Sequence, residues 1–257
     1  MSATQKAAVL AGPAFETFAT LLKTRSGLIL GPDKTYLLET RLGGMLRREK
    51  LGDLTALAAK LRGPGAEGLT REVVEAMTTN ESFFFRDDKP FQHVRMKALP
   101  QWVAGRAANA TLRIWSAASS SGQEAYSLAM LLQDARAALG NRRVEIIGTD
   151  IAREQLARAR EGVYSQFEIQ RGLPMQMLVK YFKKEPPNWR VNEALRAMVQ
   201  FREWNLLGDL RALGQFDIVF CRNVLIYFDL DTKAHVLAAI DGKCQRMGCS
   251  IWAGRRP

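Results

Sequence analysis

LRIWSAASSSGQEAYS, Leu112 to Ser127, sets the reading of the whole chain. A short apolar run, Leu112–Trp115, leads through a loop of small residues, Ala117–Gly122, into a helical pattern, Glu124–Leu139. Strand, small-residue turn and helix form the entrance to a nucleotide-type site in an open α/β sheet. Small side chains let a ligand approach the backbone, and the helix presents free N–H groups and a positive dipole end. The G-x-G-x-x-G pattern is absent; Gly122 is the one glycine of the turn, so a pyrophosphate lacks its usual support. The turn suits a ligand without phosphates, and the plain alternative is a βα turn that packs the core.

Outward from this stretch, strands and helices alternate. Val144–Thr149 is β-rich and ends at Asp150, Arg153–Glu161 is helical, Phe216–Cys221 is a buried-strand pattern, and Lys233–Ile240 is helical again. Such alternation predicts a parallel sheet with crossover helices. Gly172–Phe201, with Pro174, Pro186, Pro187 and the pair Tyr181-Phe182, interrupts it. It reads as a small insertion with a few antiparallel strands, and the sheet is expected to resume near Trp204–Leu207. Ahead of Leu112 no strand pattern occurs. Phe15–Lys23, Lys34–Lys50, Leu54–Leu61 and Leu69–Met77 read as helices, which makes the first part of the chain a small helical unit.

Composition bounds the class. The chain has 257 residues, 47% hydrophobic and 25% charged, ordinary for a soluble globular protein of one large domain or one medium and one small. No apolar run reaches the roughly 20 residues that span a bilayer. The opening MSATQKAAVLAGPAFETF is a poor signal peptide, its apolar run broken at Gly12-Pro13. Cys221, Cys244 and Cys249 are not spaced as a disulfide framework or a zinc site, and His93 and His235 stand far apart. A cytoplasmic, metal-free protein is expected. The net charge of +11 predicts attraction to something acidic, a nucleic acid or an acidic protein surface.

Three constellations carry chemistry. Asp150, at a strand end, can accept hydrogen bonds from a ribose diol, or can cap the helix that follows. In CRNVLIYFD, Cys221–Asp229, the residues Arg222, Asn223 and Tyr227 leave an apolar run at the sheet edge where ligands bind. An arginine there can clamp a carboxylate bidentately, or can simply end the strand. TTNESFFFRD, Thr78–Asp87, is either an aromatic plug for the core or a polar edge of Asn80, Ser82 and Arg86 beside a pocket.

Taken together and in this order, TTNESFFFRD, RIWSAASSSGQEAYSLAM, IIGTDI, REGVYS and FDIVFCRNVLIYFD resemble the chemotaxis receptor glutamate methyltransferases, the CheR family. The resemblance covers nearly the whole chain, including KTYLLETRL in the helical part. It implies an all-α domain over residues 1–88 that docks the receptor. It implies next a Rossmann-like, S-adenosylmethionine-dependent α/β domain over 89–257, with a small β-subdomain inserted at about 172–201. By motif, Asn80, Ser82, Arg86, Glu124, Asp150, Asn205, Leu206, Arg222 and Asn223 match cofactor-side positions. Ser82 stands where Thr is frequent, and Ala125 where Pro is usual. Arg222 and Tyr227 also match residues of substrate positioning and catalysis. The ending MGCSIWAGRRP departs from the family's GG-x-LFLG-x-x-E-S strand. The end is read as atypical or truncated, with Met247–Ala253 as a substitute strand.

The implied reaction is methyl transfer from S-adenosylmethionine to glutamate side chains of chemoreceptors, leaving S-adenosylhomocysteine and a methyl ester used in bacterial sensory adaptation. The basic outer face Arg41, Arg47 and Arg48 is expected to dock the acidic helical cytoplasmic domain of the receptor. No nucleic acid, no membrane insertion and a monomeric state are expected. The alternatives are a non-catalytic CheR-like scaffold that binds cofactor or receptor, and a nucleic-acid methyltransferase, which lacks here the N/D-P-P-Y/F motif expected of it.

Overall fold

The computed structural model describes residues 12–244 and 250–253. The chain divides into two units. One holds the residues up to Thr79 together with Tyr227–Ala234, and the other holds Asn80–Ile226 and the residues from His235. The division falls at Thr79, ahead of the expected boundary at residue 88.

The first unit is helical. Its elements are α1 (Pro13–Ser26), α2 (Thr35–Arg48), α3 (Leu54–Leu61) and α4 (Glu67–Met77). Pro13 opens α1, where its missing N–H costs nothing. The Asp53 carboxylate caps α3 by accepting from the Ala56 N–H. Phe15, Phe18, Leu22, Leu38, Leu42, Leu57, Val73 and Met77 are buried, the inward stripe that the helical spacing predicts. Within this unit the Tyr227 carbonyl accepts from the Ile29 N–H at 2.9 Å, and Lys23 pairs with Asp229 at 2.8 Å.

The second unit starts with α5 (Lys89–His93), which passes through a π turn into α6 (Leu99–Gly105). There follow β1 (Thr111–Ala117), α7 (Gln123–Asp134), α8 (Arg136–Leu139), β2 (Arg143–Asp150) and α9 (Arg153–Glu161). The inserted part contains β3 (Val163–Tyr164), α10 (Gln166–Gln170), α11 (Met175–Tyr181), β4 (Phe182–Glu185), β5 (Asn188–Val191) and α12 (Glu193–Arg196). The chain then forms β6 (Val199–Glu203), β7 (Ile218–Cys221), α13 (Leu230–Asp241) and β8 (Ser250–Ala253). The first residues of α13, to Ala234, group with the helical unit.

Five parallel strands form one sheet in the order β6-β2-β1-β7-β8. The order reverses beside β1, which puts the carboxyl ends of β1, β2 and β7 at a topological switch point. Ile114 lies opposite both Ile146 and Ile218, and all three are buried under the nearly all-buried helix α7. On the opposite parity Trp115 stacks on Phe216 at 5.5 Å and donates from Nε1 to the Thr149 hydroxyl at 2.9 Å. Apolar residues on both faces are what a covered parallel sheet requires. Phe201 of β6 lies against two glycines. A Cβ on Gly122 would come within 2.9 Å of its ring, and one on Gly148 within 2.7 Å.

Three expectations change. Val199–Glu203 pairs with β2, so the sheet resumes ahead of Trp204; Val199 and Phe201 face inward with Gln200 exposed between them, the period of an edge strand. The antiparallel sheet β3-β5-β4 begins at Val163, ahead of Gly172. Cys244 is disulfide-bonded, which the spacing of three cysteines did not suggest. Ser250–Ala253 runs parallel to β7 as a last strand, while Met247–Cys249 of the expected substitute lie outside the described residues. Among the described residues no helix is long and apolar enough to cross a membrane.

The segment Asn80–Asp88 enters this unit through its aromatics. Phe84 is fully buried and meets Tyr164 and Phe182 edge-on at 5.0 and 5.6 Å. Phe85 meets Phe91 at 5.3 Å, and its N–H donates to the Ser127 hydroxyl of α7 at 3.0 Å. Phe84→Ala should therefore lower unfolding stability by about 3–5 kcal/mol, the usual cost of emptying a buried phenylalanine site, as read by urea denaturation.

Candidate functional site

The turn after β1 is built from strained backbone. Ala118, Ser120 and Gly122 all have positive φ, at 56°, 49° and 93°. Non-glycine residues hold such angles only where their surroundings over-determine them. Here the Ser119 N–H donates to the Thr149 carbonyl and the Ser120 N–H to Asp150 Oδ2 at 2.8 Å. The Ser120 hydroxyl donates to the Asn80 carbonyl at 3.1 Å, and Tyr164 donates to the Ser121 carbonyl at 2.7 Å. The buried Ser119 hydroxyl has no hydrogen-bond partner among the described residues.

Asp150 ends β2 and is buried. Its Oδ2 accepts from the Ser120 N–H and its Oδ1 from the Ala152 N–H at 2.9 Å. These N–H groups orient the carboxylate, whose oxygens are strong acceptors. The cap-like bond to Ala152, ahead of α9, and a role toward a diol are compatible.

Glu124 lies in the first turn of α7. Its Oε1 accepts from the Ser116 hydroxyl at 2.8 Å and its Oε2 from Arg222 Nη1 at 3.0 Å. Burial pushes this carboxyl up from its ordinary range, while Arg222 and Ser116 pull it back. Arg222 follows β7 with its side chain 3% exposed. Its Nη2 donates to Asp87 Oδ2 at 2.6 Å and to the Arg86 carbonyl at 2.7 Å, and its guanidinium lies 5.8 Å from the centre of the Phe91 ring. Both ends of the fork are thus committed to the chain's own acceptors. The sequence reading set this fork over a substrate carboxylate; the structure sets it on Glu124 and on the turn at Arg86-Asp87, because three segments converge on one buried charge.

The other expected site residues make contacts of their own. Arg86 is half-buried, donates to the Glu81 carbonyl at 2.9 Å and sits 5.0 Å over the Phe83 ring; Arg171 covers the same ring at 4.9 Å and pairs with Glu81 at 2.7 Å. Ser82 is half-buried. Asn205 folds its Oδ1 onto the Leu207 N–H at 3.0 Å, Leu206 is buried, and Asn223 has a φ of 58°. Tyr227 is grouped with the helical unit. Cys221, beside Glu124, is a buried free thiol pushed up to about 12 by desolvation and then by that carboxylate. Among the described residues no cluster of His, Cys, Asp and Glu could hold a metal ion.

The three arginines of α2 differ from one another. Arg41 Nη1 donates to the carbonyls of Met77 and Thr78 at 2.7 and 2.8 Å, closing the end of α4. Arg48 pairs with Glu49 at 2.9 Å and with Glu72 at 2.5 Å. Arg47 is exposed and has no ion-pair partner among the described residues. A basic helix face seen as a pattern does not reveal which of its charges is already spent. The reading also missed Ser116, Ser120 and Asp87. Asp87, next to Arg86 at the end of FFFRD, carried a signal in being acidic beside an arginine.

The site fits S-adenosylmethionine. It offers a buried carboxylate in Asp150, a second in Glu124, and a glycine-poor turn with no phosphate cradle. Comparison with known proteins agrees. Residues 13–78 match the family model described as the CheR methyltransferase all-alpha domain, and residues 80–254 the CheR methyltransferase SAM binding domain. Chemotaxis protein methyltransferase Cher2 of Pseudomonas putida is 40% identical over 88% of this chain and 83% of its own. Chemotaxis protein methyltransferase 1 of Pseudomonas aeruginosa is also 40% identical, over 89% and 84%. Chemotaxis protein methyltransferase 1 of Vibrio cholerae is 38% identical, over 87% and 81%.

Arg222→Ala should leave Glu124 buried without its cation and cost about 3–5 kcal/mol of unfolding stability, measured by denaturant titration. Arg222→Lys should recover only part of this, because a single ammonium cannot reproduce a fork whose two nitrogens donate to separate acceptors.

Proposed function

The chain belongs to the CheR methyltransferase family and is an S-adenosylmethionine-dependent methyltransferase of chemotaxis; from that premise we propose that it esterifies glutamate side chains on chemoreceptors. The observation that supports this reading is the pair of oriented carboxylates, Asp150 and Glu124, at the carboxyl edge of a parallel sheet. We assign Asp150 to the ribose diol of the cofactor and Glu124 to its ammonium group. Asn80, Ser82, Arg86, Asn205, Leu206 and Asn223 complete the cofactor side, and Arg222 holds Glu124 in place. Tyr227 is assigned to the methyl acceptor.

S-adenosylmethionine supplies an electrophilic methyl on sulfur. The nucleophile needs no help from a base, since a glutamate carboxylate with a reference pKa of about 4.3 is ionised at neutral pH. The chain's task is to hold acceptor, methyl and sulfur in line, which is catalysis by orientation. The receptor's acidic cytoplasmic helices would meet the basic face of α2 in the cytoplasm, chiefly through Arg47, the charge there with no ion-pair partner among the described residues.

Transfer of a labelled methyl group to receptor, scored as base-labile ester, tests the activity; a stable label on receptor or none at all overturns it. Asp150→Ala should weaken S-adenosylhomocysteine binding by about 1.5–3 kcal/mol in calorimetry. Unchanged affinity in the folded variant would leave Asp150 as a helix cap. Arg47→Glu should raise the receptor KM and flatten its salt dependence while cofactor affinity holds. An equal fall in cofactor affinity would remove Arg47 from docking.

A further inference from the structure

Arg222 serves two carboxylates, one from each terminal nitrogen. Nη1 reaches Glu124 at 3.0 Å and Nη2 reaches Asp87 at 2.6 Å. The two acids differ in setting, Glu124 having a side chain 14% exposed and Asp87 one 63% exposed. We infer that Asp87 is a positioning residue that, through Arg222, sets how strongly Glu124 attracts the cofactor's ammonium group. This rests on the assignment of Glu124 made above.

The argument is one of charge. Glu124 alone with Arg222 is a neutral pair, further quenched by the Ser116 hydroxyl on its other oxygen. A neutral pair has little field to offer a cation. With Asp87 on the other terminal nitrogen, two carboxylates share one guanidinium, and the group carries one net negative charge. That complements a single ammonium. Arg86 also acts on Glu124 but more weakly, its guanidinium being turned to the Glu81 carbonyl and the Phe83 ring.

The backbone bears on the same point. Phe85, Asp87 and Asp88 have φ of 50°, 60° and 32°, so the loop holds a conformation that L residues rarely adopt. Arg222 grips it at both the Arg86 carbonyl and the Asp87 carboxylate. The loop's position and the partition of Arg222's charge are therefore set by one contact. A substitution that keeps the shape but removes the charge separates the two.

The test compares two ligands by calorimetry on the full chain. S-adenosylhomocysteine carries the ammonium; 5′-methylthioadenosine has the same adenosine and thioether without the amino-acid part. Asp87→Asn should weaken S-adenosylhomocysteine about tenfold, within the usual range of site-to-site coupling, and leave methylthioadenosine unchanged. Asp87→Glu should restore most of the loss, since it returns the charge. Equal losses for both ligands, or none, would overturn the inference, the first by showing a merely structural loop and the second by showing no coupling. A fall in receptor KM with both affinities intact would overturn it too, because Asp87 would then be competing with the methyl acceptor. Glu124→Gln in the same assay keeps the two readings apart. If it fails to discriminate between the ligands, the assignment of Glu124 falls; if it discriminates and Asp87→Asn does not, only the role of Asp87 falls.

Discussion

A guanidinium that cannot reach water must find its acceptors inside the protein, and Arg222 finds them in three places. Glu124 belongs to the helix after β1, and the Arg86 carbonyl and Asp87 belong to the segment ahead of α5. The arginine itself comes from the end of β7. Burying one charge thus dictates where the lips of the sheet must lie relative to one another. Such a cluster adds little to net stability against a hydrophobic replacement, and what it supplies is a defined arrangement. The left-handed residues at 85, 87 and 88 follow as a consequence, since the loop has to bend sharply to deliver both a carbonyl and a carboxylate to the same nitrogen.

The architecture was legible because its signals are local. The apolar run of β1, the small-residue turn and the helix behind it lie within one continuous stretch, and Asp150 marks the next strand end. The helical unit was visible from apolar spacing alone. β6 was harder, because Val199-Gln200-Phe201 alternates like the short strands of the insertion, and only its pairing with β2 assigns it to the main sheet. The last strand was expected within Met247–Ala253, but the parallel register of Ser250–Ala253 against β7 depends on the partner and not on those residues themselves.

Of the candidate site, the sequence marked Glu124 and Arg222, which the structure pairs, but not the geometry of their contact. Residue types announced acids and an arginine at the sheet edge. They could not say that the arginine's fork would be filled by the chain itself, since Asp87 and Arg222 are 135 positions apart. The same limit applies to α2. Arg41, Arg47 and Arg48 are equivalent as a pattern, yet the first closes the end of a neighbouring helix and the last answers two glutamates. Charge is a property of the residue, whereas availability is a property of the fold.

The ring of Phe201 ties together three segments that are far apart in the chain. Its atoms fill the space that a side chain would need at Gly122 in the turn and at Gly148 in β2. The three positions therefore hold one volume in common. A larger residue at either glycine is admissible only with a smaller one in place of the phenylalanine, so drift at these sites must be concerted. Gly122 is further bound, because its left-handed backbone disfavours a side chain even when room is made. Gly148 and Phe201 are the pair left to vary, and the packing of β2 against β6 follows from how they divide that shared space.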